Sequence, residues 1–156
     1  MDDDAAMREA LDEARLSFDE GEVPIGSVIV KDGRIVGRGH NRKEALCDPT
    51  AHAEVLALRG AARSINSWRL LGATLYTTAE PCLMCLGAAL QARVSRIVYG
   101  CREPKFGAAV RLAEDGQFQD SNHTVIIVGG LLEEQCAHLL KAFFAQRRAE
   151  PSEAGE

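Results

Sequence analysis

Two short runs of metal-binding and acid-base residues constrain the fold of this chain more than any other feature of its sequence. His52-Ala53-Glu54 opens one predicted helix, and Pro81-Cys82-Leu83-Met84-Cys85 opens the next. Cys82 and Cys85 are three positions apart, which places both sulfurs on one face of a helix. An imidazole and two thiols act on one ion only if the fold brings both helix N-termini together. Parallel strands joined through helices do this, because they align the helix N-termini along one edge of the sheet.

The hydrophobic periodicity predicts an α/β fold around these motifs. Apolar residues at helical spacing predict four α-helices, over residues 4–18, 51–62, 82–91 and 132–147. Short apolar runs predict five strands, over residues 25–30, 34–39, 74–78, 96–100 and 125–128. This order predicts a mixed five-stranded sheet covered by helices on both faces.

Local signals add detail to this arrangement. Asp32-Gly33 predicts a tight hairpin turn between the first two strands, and Thr50 is the candidate N-cap of the second helix. Residues 103–123 show no clear period and are predicted to form a functional loop, with or without a short helix.

Length and charge limit the function classes that remain. At 156 residues the chain has the size of one domain, which we predict to span residues 1–148, with a disordered tail over residues 149–156. The start is acidic and no apolar run has the length of a membrane span, so we expect a cytoplasmic protein that makes no membrane contact. The formal net charge of -5 excludes a protein-wide positive field, so any RNA contact must be local. Local clusters exist, although each is equally consistent with a solvated surface: Arg93, Arg96, Arg102, Lys105, Arg111, Arg147 and Arg148.

The two thiols and the imidazole form a candidate zinc site. At a helix N-terminus the helix dipole lowers a thiol pKa and favours the thiolate that zinc requires. Catalytic zinc sites have three protein ligands and an open fourth position, whereas structural sites are closed by four. We therefore predict that His52, Cys82 and Cys85 hold one zinc ion per chain.

Two other readings of these residues remain open. A structural zinc site needs a fourth ligand, which Cys47, Cys101, Cys136, His40, His123 or His138 would have to supply, and none of them belongs to a second paired motif. A redox role for the Cys-x-x-Cys pair leaves His52 and Glu54 unexplained. The remaining cysteines, Cys47, Cys101 and Cys136, are expected to be buried as small hydrophobic residues.

Glu54 is the candidate catalytic acid-base residue. Residues two apart on a helix point about 200 degrees away from each other, so Glu54 is not expected to be a fourth ligand. In the first helical turn its side chain can instead curl past the helix end towards a metal-bound water. The alternative is an ordinary first-turn carboxylate stabilised by the helix dipole.

At these residues the chain resembles the cytidine deaminase superfamily. His-x-Glu followed by Pro-Cys-x-x-Cys is the known signature of zinc-dependent nucleobase deaminases. Within the superfamily the chain is most similar to the bacterial tRNA-specific adenosine deaminases, from about Met7 to Arg148. The similarity lies in four stretches besides the metal motifs: residues 22–26, 39–42, 48–51 and 139–148.

The resemblance implies a three-layer αβα sandwich and a homodimer that converts the wobble adenosine of a tRNA anticodon to inosine. It further implies that Asn41 and the backbone of Ala53 contact the base, and that Lys105 and Phe144 contact the anticodon arm, the latter by stacking. Two of these residues have a structural alternative, since Asn41 follows a predicted strand as a turn residue would and Phe144 has the spacing of a core residue.

The sequence departs from the family pattern in the segment that would contact the flanking nucleotides. Glu103 is a longer acid than the usual aspartate, Phe106 is bulky, and Val110-Arg111 replaces a small pair. A deaminase of a free nucleobase or nucleoside is therefore the alternative enzyme, and the acidic net charge is consistent with it. A catalytically idle binding subunit is a third possibility, which the intact ligand set and Glu54 argue against.

Overall fold

The computed structural model describes residues 1–120 and 122–150 and has an α/β fold. Its helices are α1 (Asp3–Asp19), α2 (Lys43–Leu46), α3 (Ala53–Ile65), α4 (Leu83–Gln91), α5 (Ala109–Leu112) and α6 (Glu133–Ala149). Its strands are β1 (Gly26–Lys31), β2 (Arg34–His40), β3 (Thr74–Ala79), β4 (Arg96–Cys101), β5 (Gln117–Gln119) and β6 (Thr124–Gly129). They form one sheet in the order β2-β1-β3-β4-β6-β5.

The sheet is mixed and lies between two helical layers. β3, β4 and β6 run parallel to one another, whereas β1 is antiparallel to both β2 and β3, and β5 is antiparallel to β6. Leu75 and Ile97 pack with α3 and α4 on one face, and Tyr76 and Val98 pack with α1 and α6 on the other. The predicted three-layer αβα sandwich is thereby confirmed.

The first hairpin follows from local chemistry. Asp32 and Gly33 have φ angles of 52° and 74°, the left-handed pair that a tight two-residue turn requires. β2 then packs closely on α3, because a Cβ at Gly39 would overlap the carbonyl oxygen of Ala53. This contact places the end of β2 directly against the first turn of α3.

The strand number differs from the prediction, since the sheet has six strands where the sequence indicates five. The additional strand is β5, within the segment predicted to be a loop. It has three residues, two of them exposed glutamines; it pairs with β6 at the sheet edge, and its Phe118 packs against the core. A strand this short and polar has no hydrophobic period of its own. The same segment also contains the short helix α5.

Three further details differ from the sequence-based expectations or extend them. The N-cap position of α3 is occupied by His52, and Thr50 instead donates a hydrogen bond to Asp48 Oδ1 at 2.7 Å. Cys101 and Cys136 are buried as expected, whereas Cys47 is exposed. Of the tail predicted for residues 149–156, Ala149 ends α6 and residues 151–156 lie outside the described residues.

Among the described helices, none combines the length and the apolarity that crossing a bilayer would need. The division into a domain over residues 1–148 and a tail stays a prediction.

Candidate active site

His52 and Cys82 occupy equivalent positions at two neighbouring helix starts. Each is the N-cap residue of its helix, with extended backbone angles (φ -74°, ψ 151° for His52; φ -77°, ψ 175° for Cys82). Neither side chain caps its own helix. Because an N-cap residue lies outside the helical spiral, its side chain is free to point towards a neighbouring element.

The three predicted metal ligands lie together. His52 Nδ1 is 3.6 Å from Cys82 Sγ and 3.5 Å from Cys85 Sγ. Cys85 lies in the first turn of α4 and is fully buried, whereas His52 and Cys82 are partly accessible. One ligand atom from each residue lies within 4.8 Å of the other two. We call these three residues the ligand cluster.

The pKa values within the ligand cluster show that its members share charge. A hydrogen bond from Cys85, with a further contribution from His52, lowers the pKa of Cys82 to about 4. The same Cys82 raises the pKa of His52, and Cys82 together with burial raises the pKa of Cys85. The two thiols thus affect each other's pKa in opposite directions, with the thiolate form favoured at Cys82 and disfavoured at Cys85. A divalent cation would stabilise both as thiolates, so the donor set fits a metal ion.

In the described part of the chain, the ligand cluster contains no fourth metal-binding side chain. Several candidates for that role are engaged elsewhere. His40 contacts Glu13 and Glu20, His123 Nε2 lies 2.6 Å from the carbonyl oxygen of Val94, and Cys101 contacts that of Thr78. The arrangement is therefore that of an open three-ligand site, which favours a catalytic over a structural ion.

Glu54 lies beside the ligand cluster. Its carboxylate is buried, at 4% exposure, and Oε2 is 3.1 Å from Cys85 Sγ. The other oxygen, Oε1, accepts a hydrogen bond of 2.8 Å from Thr77 Oγ1 on β3. Two residues that are two positions apart within a helix point in nearly opposite directions. His52 precedes α3 and has extended backbone angles, so this rule does not apply to it, and the side chains of His52 and Glu54 can both lie at the ligand cluster.

Thr77 was not singled out by sequence reasoning. The sequence contained a signal for this residue, because Thr77 is two positions after Leu75 and therefore lies on the same strand face, which is packed against α3 and α4. A polar residue at such a core position has to find a hydrogen-bond partner inside the protein.

Ala53 follows His52 directly, and Asn41 precedes a residue that contacts the segment leading into α3. Ala53 is the first residue of α3, and the amide N–H of Arg42, the residue after Asn41, donates to the carbonyl oxygen of Ala51 at 3.0 Å. Asn41 is buried and makes turn contacts: Nδ2 donates to the carbonyl oxygen of Val23 at 3.2 Å and Oδ1 accepts from Lys43 N at 3.4 Å. These contacts fit the turn role, and a contact of either residue with a base stays a prediction.

The segment from Glu103 to Val110 lies against the start of α4. Ala108 N donates to the carbonyl oxygen of Pro81 at 2.9 Å, and Gly107 pairs with Cys82. Lys105 and Phe106 are exposed on this segment, with the Lys105 Nζ 5.2 Å from the centre of the Phe106 ring. The segment of residues 103–110, where the sequence departs from the family pattern, thus lies beside the ligand cluster and lines one side of the site. We call it the 103–110 loop.

Two buried glutamates hold the segments next to the site, and sequence reasoning assigned neither a role. Glu80 accepts from Glu103 N at 3.2 Å and from Val110 N at 3.0 Å, one at each end of the 103–110 loop. Glu22 accepts from Glu44 N at 2.8 Å and from Ala45 N at 3.2 Å, at the start of α2. Their partners lie more than twenty positions away along the chain, which a local sequence pattern cannot reveal.

The two phenylalanines of the last helix have different environments. Phe143 is buried, with its ring edge-on to Phe18, whereas Phe144 is 44% exposed. Arg147 packs over the Phe143 ring and donates a hydrogen bond to the Gly21 carbonyl oxygen. α6 packs on the sheet face opposite α3 and α4. The structure therefore does not bring Phe144 into the ligand cluster, and its contact with a substrate stays a prediction.

Comparison with known proteins identifies the family. The family model of MafB19-like deaminases matches residues 1–148. The tRNA-specific adenosine deaminase of Bacillus subtilis (strain 168) is 44% identical over 146 residues, covering 94% of this chain and 91% of the relative. The enzyme of the same name from Haemophilus influenzae is 44% identical over 149 residues, covering 95% and 86%.

Solved structures give the same relationship. A structure from a study of A-to-I editing by tRNA:A34 deaminases is 42% identical with a TM-score of 0.80, covering 87% of this chain and 99% of that one. The guanine deaminase of Nitrosomonas europaea shares the fold, with a TM-score of 0.77 at 24% identity, covering 92% of this chain and 85% of that one. The resemblance read from the motifs is confirmed, and this chain belongs to the deaminase family that contains the bacterial tRNA-specific adenosine deaminases.

Proposed function

We propose that this protein is a zinc-dependent deaminase that converts adenosine to inosine at the wobble position of a tRNA anticodon. The observation that carries the proposal is the position of the Glu54 carboxylate beside an open three-ligand cluster, with Oε2 at 3.1 Å from Cys85 Sγ. The 44% identity to a tRNA-specific adenosine deaminase supports the choice of substrate.

His52, Cys82 and Cys85 are the proposed zinc ligands. Two sulfurs and one imidazole nitrogen suit zinc, and three ligands leave a position for a water molecule. When bound, zinc supplies Lewis-acid activation of that water near neutral pH.

Glu54 is the proposed proton carrier. Its carboxylate accepts a proton from the water whose oxygen attacks the ring carbon that bears the amino group. It then delivers protons to the ring nitrogen and to the departing amine. Adenosine and water thus become inosine and ammonia, with no oxidant or reductant. Burial keeps bulk water away from this carboxylate, so that it exchanges protons with the reacting groups.

The substrate contacts are proposed from the walls of the site. Ala53 is the first residue of α3, and Asn41 precedes Arg42, whose amide N–H donates to the carbonyl oxygen of Ala51 just before α3, so the base is proposed to contact Asn41 and the backbone of Ala53. Lys105 and Phe106 are exposed beside it and suit a phosphate and an unstacked base. Phe144 and Arg148 are exposed on α6 and would meet a more distant part of the anticodon arm.

A deaminase of a free base or nucleoside is the second candidate. The net charge of -5 and the changed 103–110 loop favour it, because a small neutral substrate needs no phosphate-binding surface. The identity to tRNA-specific relatives over more than nine-tenths of the chain outweighs these two features.

The experiment that separates the two is a direct comparison of substrates. The purified protein is incubated with an anticodon stem-loop that carries adenosine at the wobble position, and in parallel with free purines and pyrimidines and their nucleosides. A stem-loop with guanosine at the wobble position is the matched control. We expect inosine and ammonia from the adenosine stem-loop alone, at a rate that falls steeply with salt. Ammonia release from free bases or nucleosides and none from the stem-loop would overturn the tRNA assignment.

We also propose that the protein acts in the cytoplasm as a homodimer. The supporting surface is an apolar groove between α3 and α4, lined by Val55, Leu58, Ala62, Trp68, Ala88 and Ala92 among others. Trp68 is 55% exposed there, and exposed apolar surface of this kind is typical of an interface. Since α3 and α4 also begin at the ligand cluster, a second copy would lie near the substrate.

Light scattering after size exclusion tests the dimer. Trp68→Glu is expected to give a monomer, whereas Leu71→Glu, at a residue equally exposed outside the groove, is expected to leave the dimer intact. A monomeric wild-type protein, or a dimeric Trp68→Glu variant, would contradict the assignment of this surface.

A further inference from the structure

We propose that Thr77 is a positioning residue for Glu54. The Thr77 hydroxyl holds one oxygen of the Glu54 carboxylate so that the other oxygen faces the ligand cluster. The inference rests on the proposed function, because it concerns the residue assigned to proton transfer. It adds a residue that lies outside both metal-binding motifs.

The geometry divides the two carboxylate oxygens between different neighbours. Thr77 Oγ1 donates to Oε1 at 2.8 Å, a normal length for a hydroxyl-to-carboxylate hydrogen bond. Oε2 lies on the side of Cys85, at 3.1 Å from the sulfur. Thr77 is fully buried and Glu54 is 4% exposed, so bulk water does not compete for this contact.

Glu54 depends on Thr77 because it has few other hydrogen-bond donors. A carboxylate can accept about four hydrogen bonds. The described residues supply its side chain with two contacts, one from Thr77 and one from the Cys85 thiol. A sulfur that binds a metal as thiolate has no proton to donate. The Thr77 hydroxyl is then the donor that remains, and without it the last torsion of the glutamate, which has a broad energy profile, is free to rotate.

The strand that carries Thr77 is a rigid support. β3 lies in the middle of the sheet between β1 and β4. Threonine is β-branched, so its first side-chain torsion is restricted on a strand. A donor held in this way keeps its direction while substrate enters and product leaves, which is what a proton-transfer residue needs from its neighbours.

The opposite strand offers a matched control. Ser27 on β1 is the cross-strand partner of Thr77 and lies on the same sheet face. It is equally buried, and its Oγ has no hydrogen-bond partner among the described residues. Removing the Ser27 hydroxyl therefore changes the polarity of the same core layer without touching Glu54.

Three variants test the proposal: Thr77→Val, which has the same shape without the hydroxyl, Thr77→Ser, which keeps the hydroxyl, and Ser27→Ala. We expect Thr77→Val to bind one zinc per chain with unchanged KM and to lose about tenfold to a hundredfold in kcat, the usual effect of one hydrogen bond to a charged group. Thr77→Ser should recover most of this loss, and Ser27→Ala should keep the wild-type kcat.

A crystal structure of the zinc-bound Thr77→Val protein gives a readout that does not depend on activity. We expect the Glu54 carboxylate to occupy a rotated or a second orientation there, and a single orientation in Ser27→Ala. A wild-type kcat in Thr77→Val, or a Thr77→Ser variant as slow as Thr77→Val, would overturn the proposal. Loss of zinc in Thr77→Val would assign Thr77 a structural role instead. If the wild-type protein deaminates none of the substrates, the proposed function fails, and the orientation of Glu54 in the crystals still decides the role of Thr77.

Discussion

His52 and Cys82 show how the position of a residue at a helix start determines what its side chain can do. Both have extended backbone angles, so their side chains leave the helix axis and meet each other. The positive end of the helix dipole of α4 is next to the thiols and favours their charged form. The hydrogen bond from Cys85 also lowers the pKa of Cys82, to about 4, which favours the thiolate form that a metal ion binds.

The first prediction concerns Glu54. Replacing it by glutamine keeps the shape and removes the basic oxygen, so we expect Glu54→Gln to bind one zinc per chain and to lose about a hundredfold to ten-thousandfold in kcat. Metal analysis and steady-state kinetics on the adenosine stem-loop check this. Glu134→Gln, at an exposed glutamate on α6, is the control and should match the wild type. Near-normal turnover by Glu54→Gln would remove Glu54 from proton transfer.

At the scale of elements, the 103–110 loop depends on one buried carboxylate. Glu80 accepts hydrogen bonds from both ends of the loop, and Gly107 passes so close that a Cβ there would lie 2.5 Å from the Glu80 carboxyl carbon. Within the loop, the Glu103 carboxylate stabilises the turn because it accepts hydrogen bonds from Gly107 N, at 3.1 Å, and from Phe106 N. The loop is thus fixed beside the start of α4, although most of it precedes α5 and has no regular secondary structure.

The second prediction follows from this close approach. Gly107→Ala should displace the loop from Glu80 and raise KM for the stem-loop by about tenfold, because Lys105 and Phe106 move with the loop. A smaller loss in kcat is expected as well, since Gly107 also pairs with Cys82 of the ligand cluster. The matched control is Gly60→Ala in α3. A Cβ there meets no atom closer than 3.9 Å, so alanine should raise helix stability by about 0.5–1 kcal/mol and leave KM unchanged. An unchanged KM in Gly107→Ala would show that the loop does not contact the substrate.

At the scale of the whole molecule, the ligand cluster joins two helices that begin far apart in the chain. α3 follows the β1–β2 hairpin and α4 follows β3, and both pack on the same sheet face. A metal ion held by residues from both helices therefore stabilises the contact between two separate parts of the chain.

The third prediction is that metal removal lowers both stability and activity. A ligand bound about a hundredfold above its Kd adds roughly 2.7 kcal/mol, so chelation should lower Tm by about 5–10 °C for a chain of this size. One equivalent of zinc should restore Tm and turnover together. Cys85→Ala, which lacks a ligand, should have the low Tm from the start and respond to neither chelator nor zinc. A fully metallated and active Cys85→Ala protein would contradict the ligand assignment.

The sequence by itself was sufficient for features that depend on neighbouring residues. The four long helices and the first hairpin follow from local periodicity and from the Asp32-Gly33 turn, and the structure contains them with ends that differ by at most three residues. The residues of the ligand cluster and Glu54 were predicted from the sequence because their spacing within each motif is short and matches a known chemistry, and the structure brings them together.

Only the tertiary structure decided the features that depend on contacts between distant parts of the chain. β5 exists through its pairing with β6, Thr77 reaches Glu54 across two elements, and Glu80 meets the 103–110 loop more than twenty residues further on. The packing also gave Phe143 and Phe144 different environments, buried and exposed, although they are neighbours in the sequence. A sequence pattern reports local conformation, whereas burial and long-range hydrogen bonds are set by how the elements pack, and these contacts orient the groups that the motifs supply.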